Sequence, residues 1–465
     1  MTGKRDTIVA VASGTGGAIA LIRLSGPTAI AIGDRIFTGV SGSPLSRSKG
    51  FTVHFGHIRN EADEIIDDVL VSLFRAPRSY TGEDMLEISC HGSTFIQQEI
   101  LRLCIREGAR MAQGGEFTLK AFLAGKMDLS QAEAVADIIA SDSRAALMLA
   151  TRQIRGGYSK EFTDLRQQLL ELTSLLELEL DFSEEDVEFA DRTRLSAMLT
   201  EIEHRISSLS DSFRLGNILK NGVPVAIVGS PNVGKSTLLN ALLNEERALV
   251  SDIAGTTRDL IEETINIQGV TFRFIDTAGI RDTADPLEHM GIERTLQRVR
   301  QAAIILLMVD ANDPSEQIEA QLQSIPVGEG QQIALILNKS DKATEEQIAL
   351  SKKTLQQKNA IPVLSISAKQ KGNLQALTSL LYDSVHADES LRSGQLIVSN
   401  ARHHEALEAA RGATHRAQNG LAGGISGDLL AQDIREVLHH LGTITGEITS
   451  QDILNSIFSK FCIGK

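Results

Sequence analysis

Gly229-Ser-Pro-Asn-Val-Gly-Lys-Ser236 follows an apolar run that starts at Val223 and precedes a helical pattern at 237–243. Its spacing is G-x-x-x-x-G-K-[S/T], set between strand and helix as a phosphate-binding loop requires. Glycines let backbone N–H groups converge on phosphate oxygens at a helix N-terminus. Lys235 can neutralise β- and γ-phosphates, and the Ser236 hydroxyl can ligate Mg²⁺. Asn232, Val233, Gly234, Lys235, Ser236 and Thr237 are therefore the first candidate nucleotide contacts.

Working outward, three more motifs stand at the ends of apolar runs. Asp276-Thr277-Ala278-Gly279 follows a run at 270–275, with Asp276 suited to a Mg²⁺-bound water and the Gly279 N–H to a γ-phosphate. Asn338-Lys339-Ser340-Asp341 and Ser367-Ala368-Lys369 follow two further runs. The Asp341 carboxylate can accept from the ring N–H and exocyclic amine of guanine, a donor pair that adenine lacks. The nucleotide is thus expected to be GTP, with GDP as product.

Short runs at 223–229, 304–310, 333–338 and 362–367 alternate with helical stretches, which predicts a mainly parallel α/β sheet across 216–383. Where many GTPases carry a water-orienting Gln after Asp-x-x-Gly, this chain has Ile280, which cannot activate water. The loop at 281–293 offers Arg281, Asp285 and Glu288. Glu288, acting directly or through a second water, is the candidate catalytic group, a solvated loop carboxylate being its rival reading. The Asn232 amide could hold a monovalent cation beside the phosphates.

Residues 1–123 mix short β-branched runs, Gly-rich turns and a helical stretch at 95–106, an α+β texture. In 124–215, Leu165, Leu169, Leu172 and Leu176 keep one helix face, as do Leu195, Leu199, Ile202 and Ile206. Helical periodicity returns in 384–465 with Ile434, Val437, Leu438 and Leu441. The expected architecture is multidomain, α/β and α+β, with a helical bundle interrupted by an inserted Ras-like P-loop GTPase domain. The acidic stretch at 181–188 lacks any His or spaced ligand set and reads as a solvated connection.

The 465 residues carry a formal net charge of −14, so RNA contact would need a local patch or a partner's surface. Three cysteines without metal-ligand spacing fit a reducing compartment, the cytoplasm. The longest apolar run, 302–309, is too short to span a bilayer, so no membrane association is expected. Cys462 is fourth from the end, yet Gly464 and Lys465 do not fit a prenylation box.

With these residues laid out, the chain resembles the bacterial MnmE (TrmE) tRNA-modification GTPase family from end to end. The marks are Gly229 to Ser236, Ser251-Asp-Ile-Ala-Gly-Thr-Thr-Arg-Asp259, Asp276 to Gly279, Gly291-Ile-Glu-Arg294 and Phe461-Cys-Ile-Gly-Lys465. The resemblance implies GTP contacts at Ser251, Asp252, Ile253, Ala254, Gly255, Thr256 and Thr257. It implies Mg²⁺ held by Ser236 and Thr257, and K⁺ held by Asn232, Ser251, Ile253 and Thr256, in a site activated by homodimerisation, with Glu288 catalytic. Gly16 to Pro27, Tyr80 to Glu87 and Phe117 to Val135 also match, implying a folate-binding-like, constitutively dimeric N-terminal domain. Arg23, Glu87, Lys126 and Lys465 then fall on positions for a formyl- or methylene-tetrahydrofolate. Bottom-up, Arg23 and Lys126 suit an anionic tail and Glu87 suits pterin N–H groups, against a plain salt-bridge reading.

The resemblance places Cys462 at the modification chemistry, packing beside Phe458 and Phe461 being its alternative. It further implies joint action with the FAD-containing protein MnmG on wobble uridines of tRNA. FAD would enter only through that partner. The rival function is a regulatory or ribosome-assembly GTP switch, which usually brings a basic RNA-binding appendage.

Overall fold

The structure, a computed structural model, describes residues 6–14, 16–181, 192–247, 263–275, 299–328, 330–386, 396–459 and 461–464. The chain divides into two compact units, Met1–Ile139 with Thr151–Ile206 and Ala406–Lys465, and Ala140–Ala150 with Ser207–Glu405.

The first unit opens with strands β1 (Ile8–Val11), β2 (Ile19–Ser25), β3 (Phe37–Gly39), β4 (Thr52–Arg59), β5 (Ile65–Phe74), β6 (Met85–His91) and β7 (Arg110–Met111). They form a seven-stranded sheet in the order β3-β4-β5-β6-β2-β1-β7. Alternation decides its faces: Val69, Val71 and Leu73 of β5 are buried while Leu70 is 47% exposed. Helices α1 (Ala29–Ile36) and α2 (Thr94–Arg106) contribute Ile32, Ile36, Ile100 and Leu103 to the core on the buried face.

Helices α3 (Glu116–Leu123), α4 (Leu129–Ala140), α5 (Arg144–Ile154), α6 (Gly157–Asp181) and α7 (Arg192–Asp211) follow. The four-leucine stripe of α6 and the apolar stripe of α7 are at most 1% exposed, because residues at three- and four-residue spacing share one helix face. Late in the chain come α13 (Ala401–Ala422), α14 (Gly427–Thr445) and α15 (Gln451–Phe458). Arg166 of α6 donates to the Leu438 carbonyl of α14 at 3.0 Å, so the early and late helical segments pack together within this unit. Gly446, left-handed at φ 86°, ends α14, and the Ser450 side chain caps α15.

The second unit contains α8 (Phe213–Asn221), β8 (Val223–Val228), α9 (Lys235–Arg247), β9 (Glu263–Ile267), β10 (Val270–Phe274), β11 (Ile304–Asp310), α10 (Ser315–Gln323), β12 (Gln332–Asn338), α11 (Glu345–Asn359), β13 (Val363–Ser365) and α12 (Leu374–His386). The six strands run β13-β12-β11-β8-β10-β9, all neighbours parallel except the β9–β10 hairpin. Gln268 and Gly269, both at positive φ, form that hairpin's two-residue turn. Ile304 to Val309 are buried on both faces of the sheet, as a central parallel strand demands.

Segments 140–150, which include most of α5, 207–215 and 384–405 belong to this unit by geometry. A Cβ on Gly216 would stand 2.1 Å from the Val398 carbonyl, so the chain entering the unit and the chain leaving it touch backbone to backbone. No described helix is long and apolar enough to cross a membrane.

Candidate functional site

The phosphate loop leaves the carboxyl end of β8 and enters α9 at Lys235. Gly229 (φ 149°), Asn232 (φ 62°) and Gly234 (φ 102°) bend it through conformations that only glycine, and more rarely asparagine, adopts readily. Space also demands glycine. A Cβ at 229 would stand 2.0 Å from the Met308 carbonyl, and one at 234 would stand 2.4 Å from Asn338 Nδ2.

The loop therefore delivers the open N-terminus of α9, whose first N–H groups lack intrahelical acceptors and favour an anion. Lys235 Nζ donates to the carbonyls of Gly229 at 2.7 Å and Ser230 at 2.9 Å, which folds its ammonium over the loop. Val233 is buried, Ser236 half-buried, and Asn232 and Thr237 exposed. The hydroxyl of Ser236 and the amide oxygen of Asn232 are oxygen donors of the kind that fit Mg²⁺ and a monovalent cation.

The base-recognition motifs meet at the same end of the sheet. Asn338 is 3% exposed, and both ends of its amide are used. Its Nδ2 donates to the Val233 carbonyl at 2.7 Å, and its Oδ1 accepts from the Ala368 N–H at 3.0 Å. Lys339 takes a left-handed φ of 62°, which turns the chain so that Asp341 faces the loop after β13. There the Ser367 hydroxyl donates to Asp341 Oδ1 at 2.6 Å, and Ser367 Oγ accepts from the Gln370 N–H at 3.2 Å. The Ser367 bond holds the Asp341 carboxyl below the usual carboxylate range. A charged acceptor is thereby kept ready for paired N–H donors. Lys369 is exposed beside it.

The structure thus brings together Val233, Gly234, Lys235, Asn338, Asp341, Ser367 and Ala368. The expected contacts Ser251, Asp252, Ile253, Ala254, Gly255, Thr256, Thr257, Asp276, Thr277, Ala278, Gly279 and Glu288 lie outside the described residues, as does Lys465. A separate cleft lined by Leu215, Ile218, Val223, Ile304 and Gln332 opens at the amino ends of β8, β11 and β12, the opposite end of the sheet. Ligands of open α/β sheets bind at the carboxyl ends, where the phosphate and base loops are.

The N-terminal candidates form a second constellation. Arg23 and Glu87 are cross-strand partners on β2 and β6, with Arg23 Nε 2.9 Å and NH2 2.7 Å from Glu87 Oε1. The guanidinium lies 5.3 Å from the Tyr80 ring centroid and 5.6 Å from that of Phe117. Its NH1 donates to the Gly464 carbonyl at 3.4 Å, which ties the chain terminus to this pair. Gly115 N donates to the Cys462 carbonyl at 3.4 Å, and Gly114 and Ile463 form a β-bridge. Lys126 is exposed, and a Cβ on Gly82 would stand 3.6 Å from its Cε.

A guanidinium, a carboxylate and two aromatic rings together suit an anionic ligand that also carries a planar heterocycle. The roles of Tyr80 and Phe117 beside Arg23 were not legible in the sequence, since an aromatic residue reads equally as core. Phe458 and Phe461 are buried, whereas Cys462 points to solvent, so packing between those rings does not account for it. Burial pushes the Cys90 thiol up to about 11 and the Cys104 thiol up to about 12, so both are inert at neutral pH.

Two family descriptions match, GTP-binding protein TrmE N-terminus over residues 7–126 and MnmE helical domain over residues 129–462. The chain is 55% identical to the tRNA modification GTPase MnmE of Bacteroides thetaiotaomicron, over 99% of this chain and 100% of that one. It is 54% identical to the protein of the same name from Bacteroides fragilis, with the same shares covered. For that of Flavobacterium johnsoniae the identity is 49%, again over 99% of this chain and 100% of the relative.

Proposed function

The chain belongs to the MnmE (TrmE) family of tRNA modification GTPases, and from that premise we propose a K⁺-dependent GTPase, activated by homodimerisation, that serves wobble-uridine modification. It would act with the FAD-containing protein MnmG to install carboxymethylaminomethyl or aminomethyl groups on tRNA, taking the one-carbon unit from a tetrahydrofolate.

The single observation that carries the GTPase reading is the Asn338 amide, which joins the phosphate loop at Val233 to the base loop at Ala368. Asp341 would accept from the guanine edge, and Lys235 would turn its ammonium from the loop carbonyls to the β- and γ-phosphates. Ser236 and Thr257 would hold Mg²⁺. Asn232, Ser251, Ile253 and Thr256 would hold K⁺, which supplies the positive charge that an arginine finger provides elsewhere. Glu288 would orient the attacking water, directly or through a second water, in place of the Gln that Ile280 replaces.

Dimerisation is supported by the outer face of the N-terminal sheet, where Val53, Phe55 and Leu70 are 63%, 52% and 47% exposed. Such a contiguous apolar face on a soluble chain favours a partner surface. Folate binding is supported by the Arg23, Glu87, Tyr80 and Phe117 cluster, where Arg23 and Glu87 would exchange part of their mutual pairing for the ligand. The terminus docked at Arg23 would bring Cys462 and Lys465 toward that pocket.

The test is nucleoside analysis of tRNA from a strain lacking the gene, complemented with wild type or Cys462→Ser. Loss of wobble-uridine modification, restored by wild type, is expected. Unchanged modification in the deletion strain overturns the assignment in favour of a GTP-timed switch.

A further inference from the structure

Two loops at one end of the N-terminal sheet are clamped together by one arginine. The stretch 46–51 enters β4, and 75–80 leaves β5. Arg75 Nε donates to the Ser48 carbonyl at 3.1 Å and its NH2 to the Ser46 carbonyl at 2.7 Å. A Cβ on Gly50 would stand 3.3 Å from Arg75 N, so the loops approach backbone to backbone. The Arg78 N–H donates to the Arg75 carbonyl at 2.8 Å, which turns the second loop back on itself. Arg47, Lys49, Arg75 and Arg78 are thereby gathered on two touching loops.

Three of these charges have no acidic partner. In the same sheet domain Arg23, Arg35, Arg59, Arg102, Arg106 and Arg110 each pair with a carboxylate. Among the described residues Arg47, Lys49 and Arg78 pair with none, and all three are exposed. The carboxylates bonded to these loops serve backbone groups. Asp34 Oδ1 accepts from the Ser46 N–H at 3.2 Å, and Asp84 Oδ1 from the Ala76 N–H at 2.9 Å. On a chain of formal net charge −14, this is a local positive patch.

An aromatic side chain borders it. Phe51 has a left-handed φ of 63° and is 65% exposed, packing edge-on against Phe74 with ring centroids 5.7 Å apart. A bulky residue in that backbone region is strained. Glycine or asparagine would fit it at less cost, so folding alone does not account for phenylalanine there.

We propose that this patch is an RNA-binding surface, with Arg47, Lys49 and Arg78 set against phosphates, Arg75 clamping the loops, and Phe51 stacking an unpaired base. Cations without acidic partners complement a phosphodiester backbone, and an exposed ring beside them complements a base that has left its stack. This rests on the tRNA-modification reading, and it gives an acidic chain a local RNA contact of its own.

The experiment measures binding of an in vitro transcribed tRNA, with uridine at the wobble position, to the full-length chain alone. Fluorescence anisotropy is followed over a series of KCl concentrations. The combined variant Arg47→Gln, Lys49→Gln, Arg78→Gln binds roughly tenfold to hundredfold more weakly, and its salt slope falls by about two to three. Phe51→Asn keeps the left-handed turn and the melting temperature, yet binds roughly fivefold more weakly with the salt slope unchanged, because stacking releases no counterions. GTP turnover and the solution mass by light scattering match wild type in both.

Wild-type tRNA affinity in the combined variant overturns the proposal, as does a wild-type chain that binds no tRNA alone. A fall in solution mass assigns the cations to a protein interface and overturns it too. So does binding to phosphatidylserine vesicles that needs these cations when tRNA binding does not. Should the combined variant fail to fold, an unchanged salt slope in Arg78→Gln overturns the proposal by itself. Nucleoside analysis of the deletion strain is run in parallel. Unchanged wobble-uridine modification there refutes the tRNA-modification reading itself, whereas gene-dependent modification with tRNA binding indifferent to the patch refutes the patch alone.

Discussion

Asn338 Nδ2 donates to the Val233 carbonyl at 2.7 Å, tying the loop that reads the base to the loop that cradles the phosphates. Because the other end of the same amide accepts from Ala368, three segments far apart in sequence share one buried side chain. Asn338→Ala leaves a buried carbonyl and a buried N–H unpaired, each costing about 1–3 kcal/mol. GDP affinity, measured by fluorescence titration, should fall by about two orders of magnitude. A nucleotide affinity equal to wild type would show that the loops are held together by other means.

The Asp341 carboxylate is expected to select guanine, so Asp341→Asn should shift preference toward xanthine, whose carbonyl in place of the amine matches an amide donor. Competition between GTP and XTP for the purified protein measures this. Ser367→Ala should act on the same group through pH. The depressed carboxyl is ionised, and binding is kept, above its folded-state value; binding is lost as pH falls through that value. Removing the Ser367 hydroxyl lets the carboxyl rise toward its ordinary value, so the acid limb of GTP binding should move to higher pH. A limb that stays in place would separate Ser367 from Asp341.

Replacing K⁺ by Na⁺ at constant ionic strength should cut GTP turnover steeply, since Na⁺ is the smaller ion and a site shaped for K⁺ fits it poorly. Glu288→Ala should lower kcat by about 10²–10⁴ with GDP affinity retained, as for loss of a general base or water-orienting group. Turnover indifferent to both changes would place the activating charge and the base elsewhere.

Gly464 sits at φ 97°, and a Cβ there would stand 2.2 Å from the Val11 carbonyl. Gly464→Ala should therefore dislodge the terminus from Arg23 while leaving the nucleotide unit untouched. Wobble-uridine modification in complemented cells should be lost, and GTP turnover in vitro should match wild type. Normal modification by this variant would mean that the docked terminus is not needed for the chemistry.

Much of the nucleotide unit is legible in one dimension, because each motif is a short contiguous string at a strand end. Runs such as Ile304 to Val309 announce buried parallel strands by composition alone. The N-terminal sheet is less legible. The β4–β5 hairpin is not legible there because its alternation carries Val53, Phe55 and Leu70 on the solvent face, which blurs the polar half of the pattern. Its turn is nonetheless local in origin: Asn60 Oδ1 accepts from the N–H groups of Ala62 and Glu64.

Sequence by itself determined the nucleotide class, the order of the motifs and the Ile280 that excludes a catalytic Gln there, since hydrogen-bond chemistry depends on residue type and short spacing. Only the tertiary structure decided which distant groups meet. Arg23 is paired to Glu87 across a sheet and to Gly464 from the far end of the chain, and Asp310 holds Lys339 across two strands. Such partners are set by strand register and chain reversal, which bring together residues whose separation along the chain carries no trace of their contact.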